Sequence, residues 1–377
     1  MMKRFRAIPI DLFRRKGKMK KSWNDRLCRE IMGGNKMSSA AVMANGNRPR
    51  VAITMGDPAG IGPEITLKVL GKAETNRICI PVVIGSSRGI EEEMRGNHSA
   101  LKIRLIQDPA QARGEEGTVD LLETGKLRPG SFRKGEVSAE AGTFAWQCME
   151  KAVSLALAGH LHAVVMGPSN KQALDAAGYH FAGWSEIVRH LTKTQETIQI
   201  LMGEKFHLAR VTTHVPLRQV PELISRERVR KSILMLDQSL KSIGFKEPRI
   251  AVSALNPHGG EGGLFGREEM EFIQPAIEDA CREGVKALGP FPGDTVFLGM
   301  KNGQYDIVLS MYHDHGGAAI KLLEFGHLVN LLAGVPIRVF SVSHGTAFDI
   351  AGKGVADETN LERSIRFAAR RDLSLRI

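Results

Sequence analysis

The sequence predicts an α/β protein. Three observations carry this: short aliphatic and β-branched runs recur along the chain, amphipathic stretches of helical period separate them, and glycine-rich turns close many of the apolar runs. With 377 residues there is chain enough for two lobes.

In order, 1–48 reads as a leader outside the fold. Residues 1–50 carry 14 Lys and Arg against 3 Asp and Glu, which is the whole of the net charge of +11. The leader is expected to be disordered; an upstream start before Met37 or Met43, or an Arg-rich targeting segment, are the other readings of it. Residues 51–55 form a first strand, followed by a tight turn through Gly56, Asp57, Gly60 and Gly62, and a helix entered at Pro63. Residues 81–85 form a second strand, and 86–135 are less regular. An amphipathic helix covers 139–159, with Phe144, Cys148, Val153 and Leu157 among its apolar positions. A strand at 163–166 ends in Gly167-Pro168-Ser169-Asn170-Lys171, and Lys171, just past the tip, is a cleft candidate. A loop through Gly183 and an exposed-looking Trp184 then enters a helix. Runs 198–202 and 207–213 are spaced as a hairpin, 226–243 is helical, and strands follow at 249–255 and 306–309. Asp294 sits in a tight Gly-Pro-rich loop. The last elements are a strand at 337–342 and a helix at 361–370.

Outside the leader the charges balance, with no basic stripe interleaved with aromatics, so a nucleic-acid partner is not expected. No apolar run is long enough to cross a bilayer. Four scattered cysteines without a C-x-x-C pair suit a reducing cytoplasm.

The chemistry concentrates where apolar strands run into histidine. His214 follows the 207–213 run, His258 follows 249–257, and His313 follows 306–312. A histidine at a strand end is more often a surface or hydrogen-bonded residue than a ligand. Three such strands together suggest three neutral imidazoles meeting on one divalent metal. Asp314 and Asp294 are carboxylates placed to orient a ligand or move a proton.

These stretches resemble the 4-hydroxythreonine-4-phosphate dehydrogenase (PdxA) family over 49–370. The resemblance rests on the opening from Met55 to Glu64, on Thr212-Thr213-His214, on Asn256-Pro257-His258 with Glu261-Gly262, and on Met311-Tyr312-His313-Asp314. It implies a two-lobed three-layer fold like that of isocitrate and isopropylmalate dehydrogenases. Residues 49–150 with 318–377 would form the cofactor lobe, and 151–317 the metal and dimerisation lobe. It implies NAD or NADP, a divalent metal (zinc, cobalt or magnesium), and a homodimer sharing the metal site across its interface. His344, Gly345, Thr346, Ala347 and Asp349 would then lie near the adenosine half of the cofactor, and Lys321 and Asn330 would hold substrate. His315, where the family usually has Gln, is a neighbour of the metal site and not a ligand. Trp184, Ser185 and Arg338 are the further substrate-binding candidates: family members usually carry His-Thr where this chain has Trp184-Ser185, and their substrate arginine is shifted by one relative to Arg338, which turns a side chain to the other face of a strand.

The implied reaction is oxidation of a 4-phosphorylated hydroxy acid, followed by β-decarboxylation. Lys171, Asp294 and Asp314 are the proton-transfer candidates. Trp184 leaves open an aromatic cis-dihydrodiol carboxylate of the terephthalate type, on which its ring could stack.

Overall fold

The computed structural model describes residues 48–370, apart from positions 98, 126, 129, 182, 325 and 326. The expected leader, apart from Arg48, lies outside the described residues.

The first half of the chain builds β1 (Arg50–Thr54), α1 (Gly62–Leu70), α2 (Ala73–Ile78), β2 (Ile80–Gly85), α3 (Ser87–Gly96), β3 (Lys102–Ile106), β4 (Thr118–Glu123), α4 (Ala139–Leu157) and β5 (Ala163–Met166). Then come α5 (Lys171–Ala176), α6 (Trp184–Leu191), β6 (Ile198–Met202), β7 (His207–Arg210), α7 (Val220–Leu223) and α8 (Arg226–Ser242). The last third adds β8 (Arg249–Ser253), α9 (Gln274–Arg282), β9 (Lys286–Phe291), α10 (Val296–Lys301), β10 (Ile307–Ser310), α11 (His313–Glu324), β11 (Val329–Ala333), β12 (Val339–Ser341) and α12 (Thr359–Ala369).

All twelve strands join one sheet in the order β3-β4-β2-β1-β5-β12-β11-β6-β7-β10-β8-β9. The first six are mutually parallel. Antiparallel pairings at β12–β11, β11–β6 and β6–β7 reverse the direction, so β7, β10, β8 and β9 run opposite to β1. The expected hairpin at β6 and β7 is present, with Leu201 opposite Leu208. β5, which lies beyond the expected boundary at 151, is hydrogen-bonded between β1 and β12.

The central strands read as continuous apolar runs because helices cover both faces. Val51, Ala52 and Ile53 are all fully buried. The edge strand β3 is less covered: Lys102 and Leu105 are exposed, and Ile106 alone of its five residues is buried. Helix starts are capped locally: Asn170 accepts from Ala173 N at 2.9 Å, and Ser225 accepts from Arg228 N at 3.3 Å. A main core runs along the whole sheet. A smaller one, including Leu208, Val308, Ile320 and Val296, lies under α10 and α11. Among the described residues no helix is long and apolar enough to cross a membrane.

Candidate active site

Two groups of strand tips carry the expected site residues. The first comprises β7, β10 and β8. β10 runs parallel to both neighbours, with Val308 opposite Leu208 on one side and Ala251 on the other. Their C-terminal ends therefore leave the sheet at one edge, where ligands bind in α/β proteins.

Beyond β7, Thr212 joins two of the loops. Its backbone N–H and its Oγ1 both donate to Met311 O, at 3.0 and 2.8 Å. This brings His214 to His313, with ring centroids 5.7 Å apart and planes tilted by 38°. Two imidazoles on one tetrahedral cation, with metal–nitrogen bonds of about 2.1 Å, would have centroids about 5–6 Å apart. The pair therefore fits a shared divalent ion.

His313 is the first residue of α11. Its Nδ1 lies 2.6 Å from Asp314 Oδ1, leaving Nε2 for a ligand. The hydrogen bond to His313 holds the Asp314 carboxyl below the usual carboxylate range. The charges of His313, Lys321 and Arg210 act in the same direction. Lys321 is exposed on the last turns of α11.

His258 has the same arrangement, with Nδ1 3.1 Å from Glu261 Oε1. It sits in a turn whose residues from His258 to Gly262 all adopt left-handed backbone angles, including the non-glycine His258 (φ 54°) and Glu261 (φ 46°). Such conformations cost L-residues free energy and cluster at functional sites. Among the described residues no group of three histidines, cysteines or carboxylates stands close enough to hold a metal. Within one chain the structure thus pairs His214 with His313, and His258 does not complete the set.

Two residues beside this pair stand out more than the sequence suggests. His315 stacks on Tyr312 with centroids 5.0 Å apart, places Nε2 3.4 Å from Ser253 Oγ, and abuts the backbone at Gly293. Burial lowers its pKa, and the charge of exposed Asp294 works against that. The second is Arg210, the last residue of β7, which is only 6% exposed. Its Nε has no hydrogen-bond partner, and desolvation holds its pKa below the ordinary arginine value. Sequence reasoning passes over Arg210, although a charge closing an apolar strand was an available signal.

The second group is formed by the tips of β1, β5 and β12. Thr54 Oγ1 accepts from Gly167 N at 2.9 Å, and Asp57 N donates to Pro168 O at 2.9 Å. Ile61 N donates to Thr346 O at 3.0 Å, fastening the 343–349 loop onto the turn that begins α1. Only glycine fits at position 60, since a Cβ there would lie 2.8 Å from both Cβ and O of Thr346. Asp57 is fully buried, accepts from Ala59 N at 2.8 Å, and leaves Oδ2 unpartnered. Burial pushes its pKa up to about 6.

The 343–349 loop holds all five expected cofactor residues. Asn360 Oδ1 accepts from Ser343 N at 2.9 Å and fixes the loop's base. His344 Nδ1 donates to Gly345 O at 2.9 Å, while its Nε2 is buried without a partner. Gly345 borders open space, Asp349 is exposed, and Ala347 is held at φ 43°. An orphaned imidazole nitrogen beside an open glycine fits the polar edge of a dinucleotide.

The remaining candidates are distributed as follows. Lys171 opens α5 and is exposed, its Cε 3.8 Å from the position a Cβ on Gly183 would occupy, so it borders the start of α6. Trp184 and Ser185 begin α6. Trp184 is half-buried against the core, not exposed as its loop setting suggested. Asn330 donates to Val342 O at 3.4 Å. Arg338 precedes β12, at the end opposite His344. Its Nη1 lies 2.6 Å from His162 Nε2, and its Nη2 donates to Ser242 O. Arg338 is thus held at the entrance of the strand, away from the tip.

The family model described as pyridoxal phosphate biosynthetic protein PdxA matches residues 77–368. The chain is 40% identical over 319 residues to a D-threonate 4-phosphate dehydrogenase of Pectobacterium atrosepticum, covering 84% of this chain and 98% of that one. A solved 4-hydroxythreonine-4-phosphate dehydrogenase from Klebsiella pneumoniae superposes with a TM-score of 0.79 at 40% identity, covering 85% and 98%. A terephthalate 1,2-cis-dihydrodiol dehydrogenase from Burkholderia xenovorans gives 0.66 at 29%, covering 85% and 97%.

Proposed function

The chain belongs to the PdxA family, and from that membership we propose that it oxidises a 4-phosphorylated four-carbon hydroxy acid of the D-threonate 4-phosphate type. The electron acceptor in this reading is NAD or NADP, and a divalent cation assists. The observation that carries it is the 40% identity, over nearly the whole of both chains, to a D-threonate 4-phosphate dehydrogenase. The paired imidazoles of His214 and His313 supply the matching chemistry.

A bound dinucleotide would supply the hydride acceptor, and a divalent cation held at His214 and His313 would supply Lewis acidity. His214 and His313 would hold that cation through ring nitrogens, and Asp314 fixes the ring of His313 through Nδ1. Lys321 and Asn330 lie on α11 and β11 as substrate contacts. Lys171, at the start of α5, and Asp294, beside His315, are the groups to take and return protons. Oxidation at the carbon β to the carboxylate gives a β-keto acid, which loses carbon dioxide.

We place His258 in the site of a second copy. Its turn is followed by Leu264 and Phe265, which are 75% and 53% exposed, and large apolar side chains at a surface suit burial in a homodimer.

One observation favours an aromatic dihydrodiol carboxylate instead: Trp184 stands half-buried beside Lys171, while Arg338 is engaged elsewhere. The test is a substrate panel with metal and dinucleotide, followed by the absorbance of reduced cofactor. Turnover of D-threonate 4-phosphate or 4-hydroxythreonine 4-phosphate is expected. Turnover of the dihydrodiol alone would overturn the first reading in favour of the second.

A further inference from the structure

Arg210 is not used by the chemistry above, yet its position is costly. Side chains alternate across a strand, so Arg210 shares a face of β7 with Leu208. Leu208 packs directly beneath Gly316 of α11, where any Cβ would collide with it. Arg210 lies two residues further toward the tip. α11 begins just past the tip of β10, whose Ser310 pairs with Arg210, so Arg210 lies on the strand end next to the helix's first turn. The charge of Asp314 reaching Arg210 agrees with this placement.

Two features make the spot cation-rich, and the one carboxylate whose charge reaches it, Asp314, is not paired with it. Arg210 as a residue is only 6% exposed, and its Nε is buried and orphaned. The N-terminus of a twelve-residue helix adds its own positive end. Asp314 forms no ion pair with Arg210 within 4 Å, its carboxylate being engaged with His313. No other carboxylate among the described residues forms an ion pair with Arg210. A desolvated charge left in this state destabilises the free protein. A helix N-terminus beside a fork of N–H donors is a setting for an oxyanion.

We propose that Arg210 is a specificity-determining residue that binds an oxyanion of the substrate, carboxylate or phosphate, at the first turn of α11 next to His313. The identity of that substrate rests on the function proposed above; the anion site itself does not.

The test uses the full chain with Arg210→Gln and Arg210→Lys. Thermal unfolding is followed with inorganic phosphate and, separately, with malonate. Wild type is expected to melt higher with one of the two anions, and that anion names the group bound. R210Q is expected to lose the shift, and R210K, which keeps the charge but not the fork, to retain part of it. Without anion R210Q melts no lower than wild type, because a buried uncompensated charge has been removed. With D-threonate 4-phosphate its KM rises about tenfold to hundredfold, the range for a lost charged hydrogen bond, while kcat falls less.

If R210Q melts lower and binds anions and substrate as wild type does, Arg210 is structural and the inference fails. It fails equally if neither anion raises the melting temperature of wild type. If R210Q does not fold, an R210K variant with the full wild-type shift and KM also overturns it. Should wild type turn over no phosphorylated acid but show the Arg210-dependent shift, the inference stands and the proposed function falls.

Discussion

The imidazoles of His214 and His313 reach each other from two different strand tips because Thr212 donates twice to Met311 O, and they settle 5.7 Å apart, centre to centre. His214→Ala and His313→Ala should each release the cation, measured as metal content of the purified protein. Cofactor reduction should fall by at least about a hundredfold, corresponding to several kcal/mol of lost stabilisation. Full metal stoichiometry in either variant would remove that residue from the ligand set.

Asp314→Asn keeps the shape of the side chain and removes the charge that orients His313. Metal affinity, measured by competition with a chelator, should weaken about 10–100-fold, the usual effect of losing a carboxylate behind a ligating histidine. An unchanged affinity would mean that the 2.6 Å contact has no part in holding the ion.

Asp57 gives a pH-dependent prediction. Its folded pKa, about 6, lies above the unfolded value of 3.8. The folded state therefore holds the proton more tightly, and stability falls as pH rises from about 4 to about 6. Above that the penalty is complete, up to about 2–3 kcal/mol. Asp57→Asn can still accept from Ala59 N, so it should stabilise the protein at pH about 8 and do little at pH about 4, as read from denaturant midpoints. Equal effects at both pH values would show that burial does not raise this pKa.

Two glycines of the cofactor-side tips should behave differently. Gly60→Ala forces a Cβ to 2.8 Å from the Thr346 backbone oxygen and should cost about 1–3 kcal/mol of stability. Gly345→Ala meets nothing within 4 Å, so stability should hold while KM for the dinucleotide rises. An equal loss of stability in both variants would mean that the loop is not clamped as described.

Much of this was legible in the sequence because local pattern and tertiary setting agree. β5 and β6 have the bounds that their apolar runs predict, since both are covered on two faces. The histidine tips were legible because glycine, proline and threonine mark where each strand stops. The stretch from 86 to 135 was not. There β4 carries Asp120 inside its apolar run, and that carboxylate is satisfied by Arg104, at 2.5 Å, and by the backbone N–H groups of Arg113 and Gly114. Arg210 was missed for a related reason: its meaning comes from the helix above it, which no window along β7 contains. The tie of Arg338 to His162 likewise depends on β12 lying beside β5.

The turn from His258 to Gly262 winds against the hand that L-residues prefer. Each bulkier residue admitted there would cost about 1–2 kcal/mol, so the segment is closed to mutational drift. A lineage exploring new substrates would have to leave this screw untouched and vary elsewhere, at the start of α6 or beneath the first turn of α11. Deep mutational libraries should therefore show the His258 turn as a frozen island, with innovation confined to other parts of the chain.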